Sequence, residues 1–454
     1  MKYSYVLAAG LMMMACNNSQ PKEDNNMVRL ITLAPGHFHA ALVQKSMYPE
    51  LDSVVKVFAP EGPEVKAHLS LIEQYNTRAE NPTHWKEEVY TGSDFLQKMT
   101  AEPKGAVVVL AGNNQQKTDY ISTAVNAGMN VLADKPMVIS EEGFKKLEQI
   151  FPAAAEKKVL VYDIMTERSE ITNMLQKELL HQASVFGELE KGTADKPAVE
   201  IESIHHFYKS VSGKTLQRPS WFFDPSQQGD AIVDVNTHLV DLAQWICFDT
   251  AIIDYRQDVQ ISKGEKWRTP LSLSQFSAIT GEKTFPSFLQ GFVKQDTILD
   301  VPANGTIYYS LKGVHIRATA LWNYEAPAGG GDSHYAIMRG SKANLVINQG
   351  KEENWKPELY IEPRQNDTAY TQNLQAVIQQ LAAKYPGISL ENKGNRWKVV
   401  IPDNLKTGHE AHFAEVMQRY LQFLKEGKVP EWEVKNMLAK YYITTAGLAV
   451  AKEK

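Results

Sequence analysis

The chain has 454 residues, of which 43% are hydrophobic and 22% charged, and this composition is typical of a globular protein of about two or three domains. A formal net charge of −5, from 48 basic and 53 acidic residues, gives no electrostatic reason to expect nucleic acid or an anionic membrane surface as the main partner. The two cysteines, Cys16 and Cys247, are too few for a disulfide framework.

The N-terminus has the pattern of a targeting segment. An apolar run at residues 5–14 follows a lysine, and it is too short to span a bilayer but suits a signal peptide. It ends in a small residue before Cys16, which resembles a lipobox. We therefore predict a signal peptide at 1–15, lipidation of Cys16 and a polar tether at 16–27. The predicted location is the cell envelope, periplasm-facing or at the cell surface, with the lipid anchor as the only membrane contact. An ordinary cleaved signal peptide is the alternative.

Strands and helices alternate from residue 28, which predicts βαβ units and a doubly wound parallel sheet over 28–165. The run 106–111 is apolar throughout, as expected for a strand buried on both faces. The predicted order is strand 28–33, a turn and a helix to about 47, strands 54–58 and 106–111, helix 115–127, strand 130–132, helix 141–151 and strand 159–162.

Residues 166–454 have a different pattern, with successive strands that are not separated by helices. This favours an α+β domain with a large, mostly antiparallel sheet. The predicted strands are 199–208, 255–261, 285–293, 305–309, 315–321 and 343–347, and the predicted helices are 169–181, 231–245, 409–424 and 431–450. A glycine-rich loop covers 329–334, and a polar insertion at about 365–405 is expected to hold one helix and one strand.

The turn after the first strand lies where a dinucleotide fingerprint G-x-G-x-x-G would lie. Only the central position, Gly36, holds a glycine, so an ordinary strand-to-helix turn is the alternative. His37 and His39 follow Gly36 without a cluster of carboxylates or cysteines, so we expect no metal site. The predicted cofactor-binding residues here are Ala34, Gly36, His37, Phe38 and His39, with Glu61 after the second strand as the nearest acidic candidate for the adenosine ribose.

A second group of polar residues follows the buried strand 106–111 and its neighbour 130–132. Lys135 comes just after a parallel strand, and therefore lies at the carboxyl edge where open α/β sheets bind ligands. The alternative is a surface turn. The predicted cofactor-binding residues of this group are Ala111, Gly112, Asn113, Asn114, Asp134, Lys135 and Pro136.

A third group lies on the predicted helix at about 231–245. Asp234, His238 and Asp241 are spaced i, i+4 and i+7, so they would share one face of that helix. A carboxylate one turn from a histidine can orient its ring, as a general acid or base requires. A surface ion pair is the alternative.

Together these motifs resemble the Gfo/Idh/MocA family of oxidoreductases. Residues 111–137 align without a gap with the family stretch that ends in Glu-Lys-Pro, where this chain has Asp134-Lys135-Pro136. The family pattern Asp-x-Gly-x-His aligns with 234–238. The resemblance covers most of 28–350 and 407–450. It departs at the fingerprint and at Lys117, where a histidine is common.

The resemblance implies a Rossmann domain that binds NAD or NADP and a second domain that holds the substrate. Lys135 would contact the nicotinamide and the substrate hydroxyl, His238 would be the general base, and Asp234 would bind substrate or orient His238. A homodimer or tetramer through the open face of the second sheet would be typical. The candidate contacts for a small carbohydrate are Trp221, His206, Asp241 and His334, and His205 is expected on the opposite strand face from His206.

The sequence thus predicts an NAD(P)-dependent oxidoreductase that acts on a ring hydroxyl of a sugar or glycoside. Because free NAD is scarce outside the cytoplasm, export predicts a tightly bound cofactor. One alternative is a redox-neutral, NAD-dependent glycoside hydrolase or lyase of the same family. The other is a non-catalytic, sugar-binding relative.

Overall fold

The computed structural model of the protein describes residues 27–211 and 214–454. The proposed signal peptide, the lipidation site at Cys16 and nearly all of the tether lie outside these residues. The first domain contains β1 (Val28–Leu33), α1 (His39–Leu42), β2 (Leu51–Ala59), α2 (Pro63–Thr77), β3 (Lys86–Thr91), α3 (Phe95–Thr100), β4 (Val107–Leu110), α4 (Lys117–Asn126), β5 (Asn130–Asp134), α5 (Glu141–Lys157) and β6 (Val161–Ile164).

The six strands of this domain form one parallel sheet in the order β3-β2-β1-β4-β5-β6. This is the strand order of a doubly wound Rossmann sheet, as the sequence predicted. Every residue of β4 and β5 is buried, which explains why β4 and the middle of β5 are apolar. The strand order reverses between β1 and β4, and ligands of such sheets bind at the carboxyl ends of the strands at this point.

Several elements of the first domain differ from prediction, and helices α2 and α3 were not predicted. Helix α1 ends at Leu42, well before the expected residue 47, and a turn follows it. Strand β3 was not predicted, because it is an edge strand whose charged sequence KEEVYT lacks the apolar pattern of the central strands. Helix α5 continues to Lys157, six residues beyond its predicted end, although Pro152 lies inside it.

The second domain carries the larger sheet. After a 3₁₀ turn at Thr166–Ser169, it contains α6 (Ile171–Leu180), β7 (Val199–Tyr208), β8 (Ser210–Val211), β9 (Lys214–Thr215), a 3₁₀ turn at Ser220–Phe223, α7 (Asn236–Cys247), α8 (Tyr255–Asp258), β10 (Val259–Ser272), α9 (Leu273–Thr280), a 3₁₀ turn at Ser287–Phe292, β11 (Val293–Lys294), β12 (Ile298–Leu311), β13 (Val314–Glu325), β14 (Ser333–Arg339), β15 (Ala343–Gln349), β16 (Glu358–Pro363), α10 (Thr368–Leu381), β17 (Ser389–Asn392), β18 (Trp397–Val400), a 3₁₀ turn at Asp403–Leu405, α11 (His409–Glu426), α12 (Glu431–Val450) and β19 (Ala451–Glu453).

Eleven of these strands form one mostly antiparallel sheet, in the order β17-β18-β16-β15-β14-β7-β13-β12-β10-β19 with β11 paired to β12. Within this sheet, only the pairs β7–β13 and β10–β19 are parallel among the described strands. The sheet class predicted from the sequence is therefore confirmed.

Several local predictions in this domain were wrong. The predicted strand 255–261 begins as a helical turn, because Asp254 caps α8 by accepting a hydrogen bond from the Arg256 amide. The predicted strand 285–293 is mainly a 3₁₀ turn. The insertion holds two strands rather than one, and β18 joins the large sheet through β16.

The C-terminal helices α11 and α12 pack against the first domain. The rings of Tyr162 in β6 and Tyr420 in α11 stack with centroids 6.2 Å apart. Helix α12 adds Tyr441, whose hydroxyl donates to Asp163 at 2.7 Å. These contacts fix the second domain over the carboxyl edge of the Rossmann sheet. None of the helices within 27–211 and 214–454 has the length and apolar character required to cross a bilayer.

Candidate active site

The turns after β1 and β4 lie against each other at the reversal point of the parallel sheet. A Cβ atom at Gly112 would lie 2.5 Å from the Ala34 carbonyl oxygen and 2.9 Å from the Gly36 nitrogen, so only glycine fits there. The Gly36 and His37 amides both donate to the Ala111 carbonyl, at 3.1 and 3.2 Å. The two turns predicted to bind the cofactor are thus brought together by direct hydrogen bonds.

Lys135 lies at the carboxyl end of β5 and makes a buried ion pair with Asp234 of the second domain. Its Nζ donates to Asp234 Oδ1 at 2.6 Å, and Gln228 Nε2 donates to the other carboxylate oxygen at 3.1 Å. Burial lowers the pKa of Lys135, but Asp234, Asp134 and Glu167 outweigh this and raise the pKa above its ordinary value. Lys135 is therefore a fixed cation at the edge of the sheet.

His238 lies in the first turn of α7, and its side chain is partly exposed. Burial and the Lys135 charge hold the pKa of His238 well below its ordinary value, so the imidazole is neutral. Its Nδ1 atom is buried and has no hydrogen-bond partner among the described residues. A neutral imidazole with a free nitrogen can accept a proton.

The prediction that Asp234, His238 and Asp241 share one face of a helix was wrong in detail. Helix α7 begins at Asn236, whose amide donates to the Ala231 carbonyl five residues back, so Asp234 lies in a wider turn before the helix. In the described structure, the Asp234 carboxylate is bound by Lys135 and Gln228 and makes no hydrogen bond to His238. Asp234 therefore positions Lys135 rather than the histidine.

Asp241 was predicted to contact substrate, and the structure places it in an ion network instead. Arg168 donates to both of its oxygens at 2.7 Å, and Lys440 Nζ donates to Oδ1 at 2.8 Å. Lys440 also binds Asp163 at 2.7 Å, and Arg168 binds Glu433 at 2.8 and 2.9 Å. All five side chains are buried, and Asp241 is only 1% exposed, so it has no free face for a substrate.

The two histidines of the first turn meet a carboxylate that the sequence does not place beside them. His39 Nδ1 lies 2.9 Å from Asp134 Oδ2, and His37 Nδ1 lies 3.9 Å from the same oxygen. Burial is the main cause that holds the pKa of both imidazoles well below the ordinary value. Our expectation of no metal rested on the lack of a nearby carboxylate, and that premise is wrong because Asp134 supplies one.

Two ionisable residues near Lys135 were not among the sequence candidates. Lys117 begins α4, and its buried Nζ donates to the Asp134 carbonyl at 3.0 Å. Burial lowers the pKa of Lys117 to about 8. Burial, aided by Glu170, raises the pKa of Glu167 to about 7, against the influence of Lys135. The sequence shows Lys117 at a position where the family commonly has histidine. Glu167 follows β6 and belongs to no motif, so the sequence gives no signal for it.

The second domain contributes a polar cluster around Asp332, which lies at the end of the glycine-rich loop. His205 and His206 approach its two oxygens at 3.3 and 3.0 Å, and Lys209 donates to it at 2.8 Å. Both rings reach this carboxylate although they come from adjacent residues of β7, and His205 also contacts Ser203, two residues back, as residues on one strand face do. His334 lies nearby, and burial lowers its pKa to about 4.

Arg218 connects this cluster to the Lys135 pair. Burial lowers the pKa of Arg218 to about 10, while Asp332 and Asp234 act in the opposite direction, so both carboxylates lie within electrostatic reach of it. Its guanidinium carbon lies 5.0 Å from the centroid of the Trp322 ring. The candidate site therefore contains cations and carboxylates from both domains.

In this structure the second domain closes over the cofactor turns. Asn113 Nδ2 donates to Gln227 Oε1 at 2.7 Å, and Asn114 Nδ2 donates to the Gln228 carbonyl at 2.7 Å. Trp221 covers Gly36, with Cζ2 3.4 Å from where a Cβ atom would lie. The cavity beside Asp234 has a volume of about 20 Å³, which is room for about one water and far less than a small-molecule site needs.

The polar groups at this edge suit the reactive end of a nicotinamide cofactor. Lys135 offers a cation, and His238 Nδ1 and Asn114 Oδ1 are buried polar atoms without a described partner. The remaining predicted residues are placed as follows: Phe38 is half-buried beside His39, Ala111 and Pro136 are buried, and Glu61 is exposed after β2.

Two family models match most of the chain. Residues 35–163 match "Oxidoreductase family, NAD-binding Rossmann fold", the GFO_IDH_MocA model, and residues 175–452 match "Putative oxidoreductase C terminal domain". No curated protein matches the chain.

Solved structures give the same assignment. A "putative oxidoreductase" from Parabacteroides merdae is 51% identical, has a TM-score of 0.91, and matches over 94% of this chain and 97% of its own. KijD10, a 3-ketoreductase from Actinomadura kijaniata solved with NADP and TDP-benzene, shares the fold at 14% identity, with a TM-score of 0.57 over 94% of this chain and 99% of its own. The chain therefore belongs to the Gfo/Idh/MocA family of oxidoreductases, whose Rossmann domain binds NAD.

Proposed function

We propose that the protein transfers hydride between NAD(P) and a carbon that bears a ring hydroxyl of a sugar or glycoside. The observation that carries the proposal is the buried Lys135–Asp234 pair, 2.6 Å long, at the carboxyl edge of the parallel sheet. It lies beside His238, a neutral histidine with a free ring nitrogen. Alcohol oxidation needs a proton acceptor and a cation near the reacting oxygen, and these residues provide both.

The protein's own residues would divide the work in the following way. Gly36, Gly112 and Lys135 would hold the cofactor, which when bound accepts or donates the hydride. The Lys135 ammonium would favour the alkoxide that develops as the hydroxyl proton leaves. His238 would accept that proton on a ring nitrogen, and Asp234 would keep Lys135 charged and in place. Trp221 and the 227–228 segment would exclude water from the closed site.

A second candidate is redox-neutral glycoside cleavage, and Glu167 is the observation that favours it. Cleavage by transient oxidation needs a group that removes a proton from carbon, in addition to the base for the hydroxyl. A carboxyl group with its pKa raised to about 7, within electrostatic reach of Lys135, suits that task. Formation of NADH in proportion to product would favour the dehydrogenase, and glycoside cleavage without net NADH would favour the second candidate.

The proposal is tested by the nucleotide content of the purified full chain. We expect denaturation to release NAD or NADP, which absorbance and mass would identify. In a screen of sugars, we expect a substrate to change the absorbance of the reduced cofactor. Lys135→Met should abolish that change, whereas Lys145→Met, at an exposed position of α5, should not. A protein that releases no nucleotide and binds none when it is supplied would contradict the proposal.

We also propose that the protein is a lipoprotein of the cell envelope that holds its cofactor tightly. This rests on the sequence of the N-terminal segment, which the described residues do not include. Labelling with a fatty-acid analogue should mark the full chain and fail in Cys16→Ala. Label retained by Cys16→Ala would refute the anchor.

A further inference from the structure

We infer that His37, His39 and Asp134 form a binding site for a divalent transition-metal ion at the carboxyl edge of the Rossmann sheet. One ligand atom from each residue lies within 4.8 Å of the other two. The two imidazole nitrogens are 2.9 and 3.9 Å from Asp134 Oδ2. Two ligands that share a tetrahedral ion at ~2.1 Å are about 3.4 Å apart, so the observed distances bracket the required one.

The surroundings of Asp134 also suit a metal ligand. Asp134 is only 7% exposed in its side chain, and among the described residues its carboxylate has recorded contacts with these two histidines alone. The carboxylate is therefore aimed at the two rings.

Nearby cations do not occupy this carboxylate. Lys135 is paired with Asp234, and Lys117 donates to the backbone carbonyl of Asp134 rather than to its side chain. Among the described residues, no lysine or arginine is therefore paired with the Asp134 carboxylate.

The donor set indicates the class of ion. Two imidazoles and one carboxylate suit Zn²⁺, Fe²⁺ or Co²⁺ and leave at least one coordination position open. The side chain of His37 is 23% exposed, so the open position is reached from its side. His409 lies close by, with its ring centroid 5.3 Å from that of His39, and could supply a further nitrogen.

Cobalt binding to the full chain, stripped of metal by a chelator, tests the site. We expect about one Co²⁺ per chain, with visible d–d absorption of a low-coordinate ion. The absorption should be lost in His39→Gln and in Asp134→Asn. His37→Gln should bind Co²⁺ with an affinity at least tenfold lower than that of the wild type. His84→Gln, an exposed histidine of the same domain, should bind Co²⁺ like the wild type.

Thermal unfolding with Zn²⁺ separates loss of the site from loss of the fold. Zn²⁺ should raise the melting temperature of the wild type and of His84→Gln more than that of His37→Gln, whose partly exposed position tolerates glutamine. Absence of Co²⁺ absorption in the wild type would overturn the inference, as would unchanged absorption in both histidine variants. Neither readout needs nucleotide or sugar, so a failed proposal for the reaction would leave this test intact.

Discussion

Replacement of Glu167 by glutamine should stabilise the protein at neutral pH. The folded structure raises the pKa of this group from 4.5 to about 7, because burial disfavours its charge. The difference corresponds to about 3 kcal/mol at ~1.4 kcal/mol per pKa unit, and partial exposure of the side chain reduces our expectation to about 2–3 kcal/mol. The wild type carries this cost only where the carboxyl group is ionised, and glutamine does not ionise.

The sign follows from proton linkage. Below pH 4.5 the group is protonated in the folded and unfolded states, so the wild type and Glu167→Gln should be equally stable. As pH rises from 4.5 to 7, the unfolded wild type releases the proton first and the wild type loses stability relative to the variant. Above pH 7 the difference should remain at its full value.

Urea unfolding at several pH values from 4 to 8.5 measures this difference. Glu156→Gln, at an exposed position of α5, should follow the wild type at every pH. If Glu167 acts as an acid or base, the variant should also lose an inflection near pH 7 in kcat/KM. Stability curves of Glu167→Gln and wild type that run parallel from pH 4 to 8.5 would refute the assigned pKa and its cause.

Three further predictions concern the neighbouring charges. Lys135→Met should lower kcat/KM by about 10²–10³-fold, because the developing alkoxide loses its cation, and dose-dependent recovery of activity by added alkylamines would support this role. His238→Gln should lower kcat by about 10²–10⁴-fold and leave nucleotide content unchanged, and an unaltered kcat would exclude it as the base. Lys440→Met should lower the free energy of unfolding in urea by about 3–5 kcal/mol, because it leaves Asp163 and Asp241 without their shared cation. Lys435→Met, on the exposed side of α12, should change it by less than about 0.5 kcal/mol.

The sequence predicted the two sheets because their central strands are buried on one or both faces. β4 shows this in a continuous apolar run, and β7 in alternation. The edge strand β3 and the 3₁₀ turn at 287–292 were mispredicted because neither carries such a pattern. Burial leaves a periodic signal in a sequence, whereas edge strands and short turns depend on contacts that only the folded chain provides.

The site was predictable where a residue lies at a strand end within a motif. Lys135 and Gly36 follow β5 and β1 directly, so the strand order alone brings them to one edge. Glu167 and Asp332 follow strands or loops without a motif, and their chemistry arises from neighbours far away in the chain. Sequence spacing could not connect His39 with Asp134, which are 95 residues apart.

Asp234 and Asp241 show why equal spacing does not give equal roles. Both were predicted on one face with His238, yet the cation that reaches each carboxylate decides its function. Lys135 comes from the carboxyl edge of the Rossmann sheet, so Asp234 belongs to the proposed reactive site. Arg168 and Lys440 come from the 3₁₀ turn at 166–169 and from α12, so Asp241 anchors the helix on which His238 lies. In the proposed reaction this buried network would act through position, since loss of Asp241 would move His238 without removing any group proposed to touch the substrate.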